Sequence, residues 1–201
     1  SIKSDGVINL FSDIKSEFSI FNTEFLQEIK KIKQKNIAIT ILEKLLNDEI
    51  KQYKKSNLVK SELFSDKIKK LMNSYINGLI SNEEVIEELI KLSKEIMEMK
   101  EESKKLGFTE EELAFYDALT KPQAVKDFYE NKNEDLINLT KELTDMLRKN
   151  RTVDWKRKES ARAKMRLMVK KLLKKYKYPP DDCNEAIDTV IEQCELWTEN
   201  L

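Results

Sequence analysis

Three glycines and three prolines are all that interrupt 201 residues. Ordinary chains devote roughly 12% of their residues to these two types, because turns draw on glycine's left-handed backbone and proline's fixed one. A chain so poor in turn-makers cannot supply the many tight turns of a sandwich or barrel. Gly6, Gly78 and Gly107 also stand too far apart for a G-x-x-x-x-G-K-[ST] phosphate loop, so no cofactor site of that kind is expected. With 37% charged and 40% hydrophobic residues, the chain is too apolar for disorder and too polar to belong in a membrane. What remains is an all-α fold of about eight amphipathic helices in an irregular bundle without a sheet.

The absence of histidine narrows the chemistry further. Ser-His-Asp and Cys-His nucleophile systems and H-E-x-x-H zinc sites all need an imidazole. Cys183 and Cys194 lie 11 residues apart. On one straight helix that spacing is about 16 Å, too far for a disulfide, so reduced thiols in a cytoplasmic protein are expected. No apolar run approaches membrane-spanning length and no signal peptide is evident. The chain begins at Ser1 rather than Met, as expected of a piece of a longer protein.

Apolar periodicity places the helices. Leu10, Phe11 and Ile14 mark a short first one, and a long one is predicted from Thr23 to Lys54. A break is read at 55–60. Ile68, Leu71, Met72, Tyr75, Ile76 and Leu79 then form a stripe expected to face a core. Ser81 with Glu84, and Thr109 with Glu112, have the spacing of capping boxes. Gly107 is placed for a left-handed C-cap. A short helix at 109–119 must end before Pro122. Leu136, Leu139, Leu143, Met146 and Leu147 define another helix. Asp154 is read as the cap of a long helix running to Tyr178, buried through Ala161, Met165, Met168, Val169, Leu172, Leu173 and Tyr176. Pro179-Pro180 ends it, and the last helix packs through Ala186, Ile187, Val190, Ile191, Cys194 and Trp197.

Equal numbers of acidic and basic residues, 37 each, conceal strong segregation. Residues 151–177 carry twelve Lys and Arg against Asp154 and Glu159, a net +10, whereas the residues after Lys177 include seven acids and no base. Two neighbouring helices of opposite charge could pair along their flanks. Alternatively, Arg157, Arg162, Arg166, Lys170 and Lys174 form an exposed basic ridge for nucleic acid or an acidic partner. Such a ridge can meet phosphates but reads no bases, so DNA binding through it would be non-specific and salt-dependent. Trp155 is expected to anchor a core rather than stack on bases, with Asp154 as a cap and Glu159 as the i, i+3 partner of Arg162. Metal-dependent nucleases hold ions with an acid followed by Glu-x-Lys. Five such triplets, at Glu28, Glu49, Glu98, Glu102 and Glu130, arise here from composition and fall in helices or loops, so no catalytic or metal residue is assigned.

Several stretches carry a family resemblance. KSNLVKSELFS (55–65), ISNEEVIEELIKLSKEI (80–96), LGFTEEELAFYDAL (106–119), TVDWKRKESARAKMRLMVKKLLKKYKYPPD (152–181) and AIDTVIEQCELW (186–197) resemble the C-terminal region of the R subunit of type I restriction enzymes. The strongest signature is Val153-Asp154-Trp155, then Arg162-Ala163-Lys164-Met165-Arg166, then Tyr178-Pro179-Pro180. The resemblance spans roughly 55–200 and is weak over 1–54, implying a helical lead-in from motor domains followed by a C-terminal helical domain at 55–201. It implies a parent that cuts unmethylated DNA after ATP-driven translocation, with ATP and Mg2+ used elsewhere in that subunit. The fragment itself would be a non-catalytic assembly module. Its partners would be the methyltransferase and specificity subunits, with duplex DNA as the alternative, no membrane, and a bacterial or archaeal cytoplasm as the setting.

Overall fold

Ser81 and Thr109 each begin a helix as their spacing predicts, in the computed structural model, which describes residues 20–130, 133–151 and 155–199. The Ser81 N–H donates to Glu84 Oε2 at 2.7 Å and the Glu84 N–H donates back to Ser81 Oγ at 3.2 Å. Thr109 and Glu112 make the same reciprocal pair, at 2.8 and 3.2 Å. Two otherwise unmatched backbone donors are satisfied at each start. The Ser81 backbone N–H, followed by its hydroxyl, holds the Glu84 carboxyl below its ordinary pKa.

Nine α-helices occupy the described residues: α1 Thr23–Lys31, α2 Lys35–Ser56, α3 Leu58–Ile76, α4 Asn82–Lys105, α5 Glu110–Leu119, α6 Gln123–Tyr129, α7 Asn133–Asn150, α8 Glu159–Lys175 and α9 Cys183–Glu199. Short 3-10 turns at Trp155–Arg157 and Pro180–Asp182 precede the last two. No strand occurs among the described residues. The all-helical expectation is met. The helix expected around Leu10–Ile14 lies outside the described residues.

The single helix expected over 23–54 is instead two, parted at Ile32, where the α1 C-cap N–H donates to the Ile29 carbonyl. Lys30 and Lys31 in the last turn suit the negative end of α1, so the chain closes one helix there without glycine or proline. The predicted break at 55–60 shrinks to Asn57 alone, between α2 and α3. The seven-residue α6, too short to show a stripe, has no counterpart in the sequence reading. Helix α8 starts at Glu159 behind Lys158, which gives no side-chain cap. Asp154, expected to cap it, lies outside the described residues.

The helices group into two compact units. The first contains residues 20–50 and 64–102. Its interior holds Phe25, Leu26 and Ile29 of α1, Leu42 and Leu46 of α2, Phe64 and Ile68 of α3, and Val85, Leu89 and Ile96 of α4. Lys100 pairs with Glu49 at 2.6 Å, tying α4 to α2. The stripe expected to face this core departs from expectation. Ile68 is buried, but Ile76 and Leu79 at the α3–α4 turn are 75% and 74% exposed.

The second unit contains residues 51–63 and the described residues from 103 to 199. Here α5 packs on α7, α7 on α8, α8 on α9, and α9 returns to α5, a closed cycle of four helices. Phe115, Leu119, Leu139, Leu143, Leu147, Trp155, Val169, Leu173, Val190 and Cys194 fill its centre. Glu111 of α5 is buried and held by Arg148 of α7 at 2.8 Å and by Arg151, the residue just after that helix.

The start of α3 docks on the same unit through polar groups. The Leu58 N–H donates to Gln193 Oε1 at 2.7 Å, Asn57 Nδ2 donates to Asp117 Oδ2, and Lys60 Nζ lies 3.4 Å from that oxygen. Burial raises the Asp117 carboxyl above the usual aspartate range, opposed by the Lys60 charge and the Asn57 hydrogen bond.

The end of α8 is a Schellman motif: the Tyr178 N–H donates to the Leu173 carbonyl and the Lys177 N–H to the Lys174 carbonyl. That geometry places Lys177 at φ +55, a conformation glycine adopts without penalty. Lys177→Gly is therefore expected to raise stability by about 0.5–1 kcal/mol, read as a higher urea midpoint at unchanged slope.

Candidate partner-binding face

Helix α8 sits in the second unit through Met165, Val169, Leu172 and Leu173, spaced to lie along one side. The 3-10 turn before it buries Trp155 to 1% exposure, and the indole N–H donates to Thr198 Oγ1 at 3.0 Å near the end of α9. Seating these residues fixes which basic side chains turn outward and which reach a neighbour.

The ridge residues divide accordingly. Arg162 Nη2 lies 2.8 Å from Glu195 Oε1, and Arg166 pairs with Asp188, both acids from α9. The Arg162–Glu195 approach is close but not aligned as a hydrogen bond, leaving that buried oxygen without one. Opposite charges thus do pair along the α8–α9 flank. The carboxylate that Arg162 meets is Glu195 across the interface rather than Glu159 one turn back. Arg157, Arg162 and Arg166 line one open hollow together with Glu159 and Ala163. On the far edge of α8, Lys175 pairs with Glu142 of α7 at 2.7 Å, and Tyr176 donates its hydroxyl proton to the same carboxylate. Those two donors, Lys175 first, lower the Glu142 pKa.

Lys170 and Lys174 lie apart from the hollow, close enough to Cys183 for their charge to act on its thiol, although burial outweighs them and raises its pKa. Cys194 is buried and pushed up to about 12, chiefly by desolvation. Both cysteines are free thiols.

Sequence reasoning missed two surface features. One is Leu167, 60% exposed on α8 among the exposed Lys164, Lys170, Lys171 and Lys174. Its position off the 165, 169, 172, 173 side was the available signal. The other is the tip of the α3–α4 hairpin, where Ile76 and Leu79 flank Asn77 and the left-handed Gly78. There the stripe runs past the last turn that has a neighbour, and the Asn-Gly pair was the signal of that end.

Fold and surface define an all-α chain whose first unit carries an apolar hairpin tip and whose second carries a basic helix face; no described helix is long and apolar enough to cross a membrane. The family model for the C-terminal region of endonuclease subunits like that of type I restriction enzyme HindI matches residues 1–200, and the chain belongs to that family. The match therefore includes the first 54 residues, beyond the span of the resemblance noted above. The chain is 41% identical to the type I restriction enzyme HindI endonuclease subunit of Haemophilus influenzae, over all of this chain and 19% of that protein. It is 35% identical to the putative type I restriction enzyme MjaIXP endonuclease subunit of Methanocaldococcus jannaschii, over 87% of this chain and 17% of that protein. It thus spans about a fifth of the length of these curated relatives. No solved structure matches.

Proposed function

We propose that this C-terminal region tethers the endonuclease subunit to the methyltransferase and specificity subunits of its complex. The observation that carries the reading is the exposed apolar tip of the α3–α4 hairpin. Ile76 and Leu79 together present apolar surface whose burial on a partner is worth on the order of 1.5–3 kcal/mol per side chain. Exposed apolar side chains grouped at the end of a helical hairpin are the kind of feature that marks a protein contact. DNA cleavage and ATP-driven translocation, with their Mg2+ and ATP, belong in this reading to the remainder of the longer subunit.

The test is retention of the chain by the purified methyltransferase–specificity core. Wild type is expected to bind, and Ile76→Ser with Leu79→Ser is expected to weaken binding at least tenfold. Because both side chains are exposed, unfolding midpoints should stay unchanged. No retention of wild type at low salt overturns the reading.

A second reading makes α8 a guide for duplex DNA, favoured by its lysines that lack an ion pair. A gel shift with non-specific duplex near 50 mM salt tests it, and the absence of binding there rejects it.

A further inference from the structure

We infer that the outer face of α8 is the seat for an acidic, amphipathic helix of a partner protein, with Leu167 as the central contact. The inference rests on the docking reading and names a second surface and the chemistry of what it takes.

Leu167 lies about 175° around the helix from the middle of the buried side formed by Met165, Val169, Leu172 and Leu173. Its neighbours one turn away are Ala163, Lys164, Lys170 and Lys171, and Lys174 lies two turns on, beside it. All four lysines are exposed, and none of them forms an ion pair among the described residues. Two α9 acids are engaged on the helix flank, where Glu195 meets Arg162 and Asp188 meets Arg166. The outer face therefore keeps four positive charges around one large apolar side chain.

That arrangement distinguishes between polyanions. A duplex backbone offers phosphates but no apolar seat, and the side chains best suited to gripping phosphate are arginines. Here Arg162 and Arg166 are turned to α9 carboxylates. A leucine at the centre of a charged ring instead has the anatomy of a protein contact, with an apolar centre enclosed by a polar rim. The complementary element presents carboxylates at i, i+3 and i+4 around an apolar position and lies along α8 as helices pack on helices.

Two variants of the chain probe this, Lys170→Glu with Lys174→Glu, and Leu167→Ser. All three positions are exposed, so unchanged circular dichroism and urea midpoints are expected. Binding to the methyltransferase–specificity core is measured between 50 and 300 mM salt, beside binding to a non-specific duplex. The charge variant is expected to bind the core at least tenfold more weakly at low salt and to lose most of the salt dependence. Leu167→Ser is expected to weaken core binding several-fold at every salt concentration and to leave duplex binding unchanged. If wild type does not bind the core, the docking reading and this inference both fall. If wild type binds and both variants bind equally well, the inference alone falls. Loss of duplex binding with core binding intact assigns the face to DNA and also overturns the inference.

Discussion

Replacing Asp117 by alanine is expected to lower the stability of the second unit by about 3 kcal/mol, whereas Lys60→Met with Asp117→Leu should leave it within about 1 kcal/mol of wild type or above it. The Lys60 and Asp117 side chains are 7% and 18% exposed and face each other at 3.4 Å. Removing only the carboxylate strands a buried ammonium and also takes the acceptor from Asn57 Nδ2. Replacing both charges removes the desolvation cost along with the attraction. The pair also has a pH signature. Burial raises the folded-state pKa of Asp117, so the folded chain holds that proton more tightly than the unfolded chain. The stability contributed by the protonated carboxyl is present below the unfolded value and is lost as pH rises through the raised folded one. Urea titrations across mildly acidic pH should show that decline in wild type and a flatter profile in the doubly apolar variant. A single and a double replacement of equal cost would rule out the coupling.

Trp155→Ala is expected to cost about 3–5 kcal/mol, a large share of a total that is typically 5–15 kcal/mol. The ring is buried against the centre of the four-helix cycle, and the chain has no glycine-rich segment there that could collapse into the space. Thr198 Oγ1 loses its donor at the same time. Trp155→Phe keeps most of the volume and loses the indole N–H, so about 1–2 kcal/mol is expected. Denaturant midpoints at equal slopes measure both. A cost below about 1 kcal/mol for the alanine variant would remove Trp155 from the core and leave its ring free for another use.

The helix starts at Ser81 and Thr109 were legible because a cap is local chemistry, written in two residues three apart. The buried sides of α7, α8 and α9 were legible because period and burial coincide there. Elsewhere the same period misled. From Phe25 through Ile32 to Ala38 apolar residues keep recurring across the α1–α2 break, and nothing in the pattern marks the lysine-rich turn between them. At Ile76 and Leu79 the stripe tells which side of α3 is apolar but not whether another element lies over it. The basic ridge was visible as composition, yet its division was not. Whether Arg162 meets Glu159 or Glu195 depends on how α9 returns alongside α8, a tertiary fact that no spacing within α8 contains.

The closed cycle of four helices also sets an order in time. The α7–α8 and α8–α9 contacts join helices adjacent in the chain or nearly so, and each can form after closing only a short loop. The contact between α5 and α9 spans roughly 70 residues and completes the ring, so it carries the largest closure entropy. Assembly should therefore proceed from the hairpins toward that seam, and closing it is the step expected to limit the folding rate. Weakening contacts across the seam is then expected to slow folding, more than equal weakening within the α7–α8 or α8–α9 hairpins does.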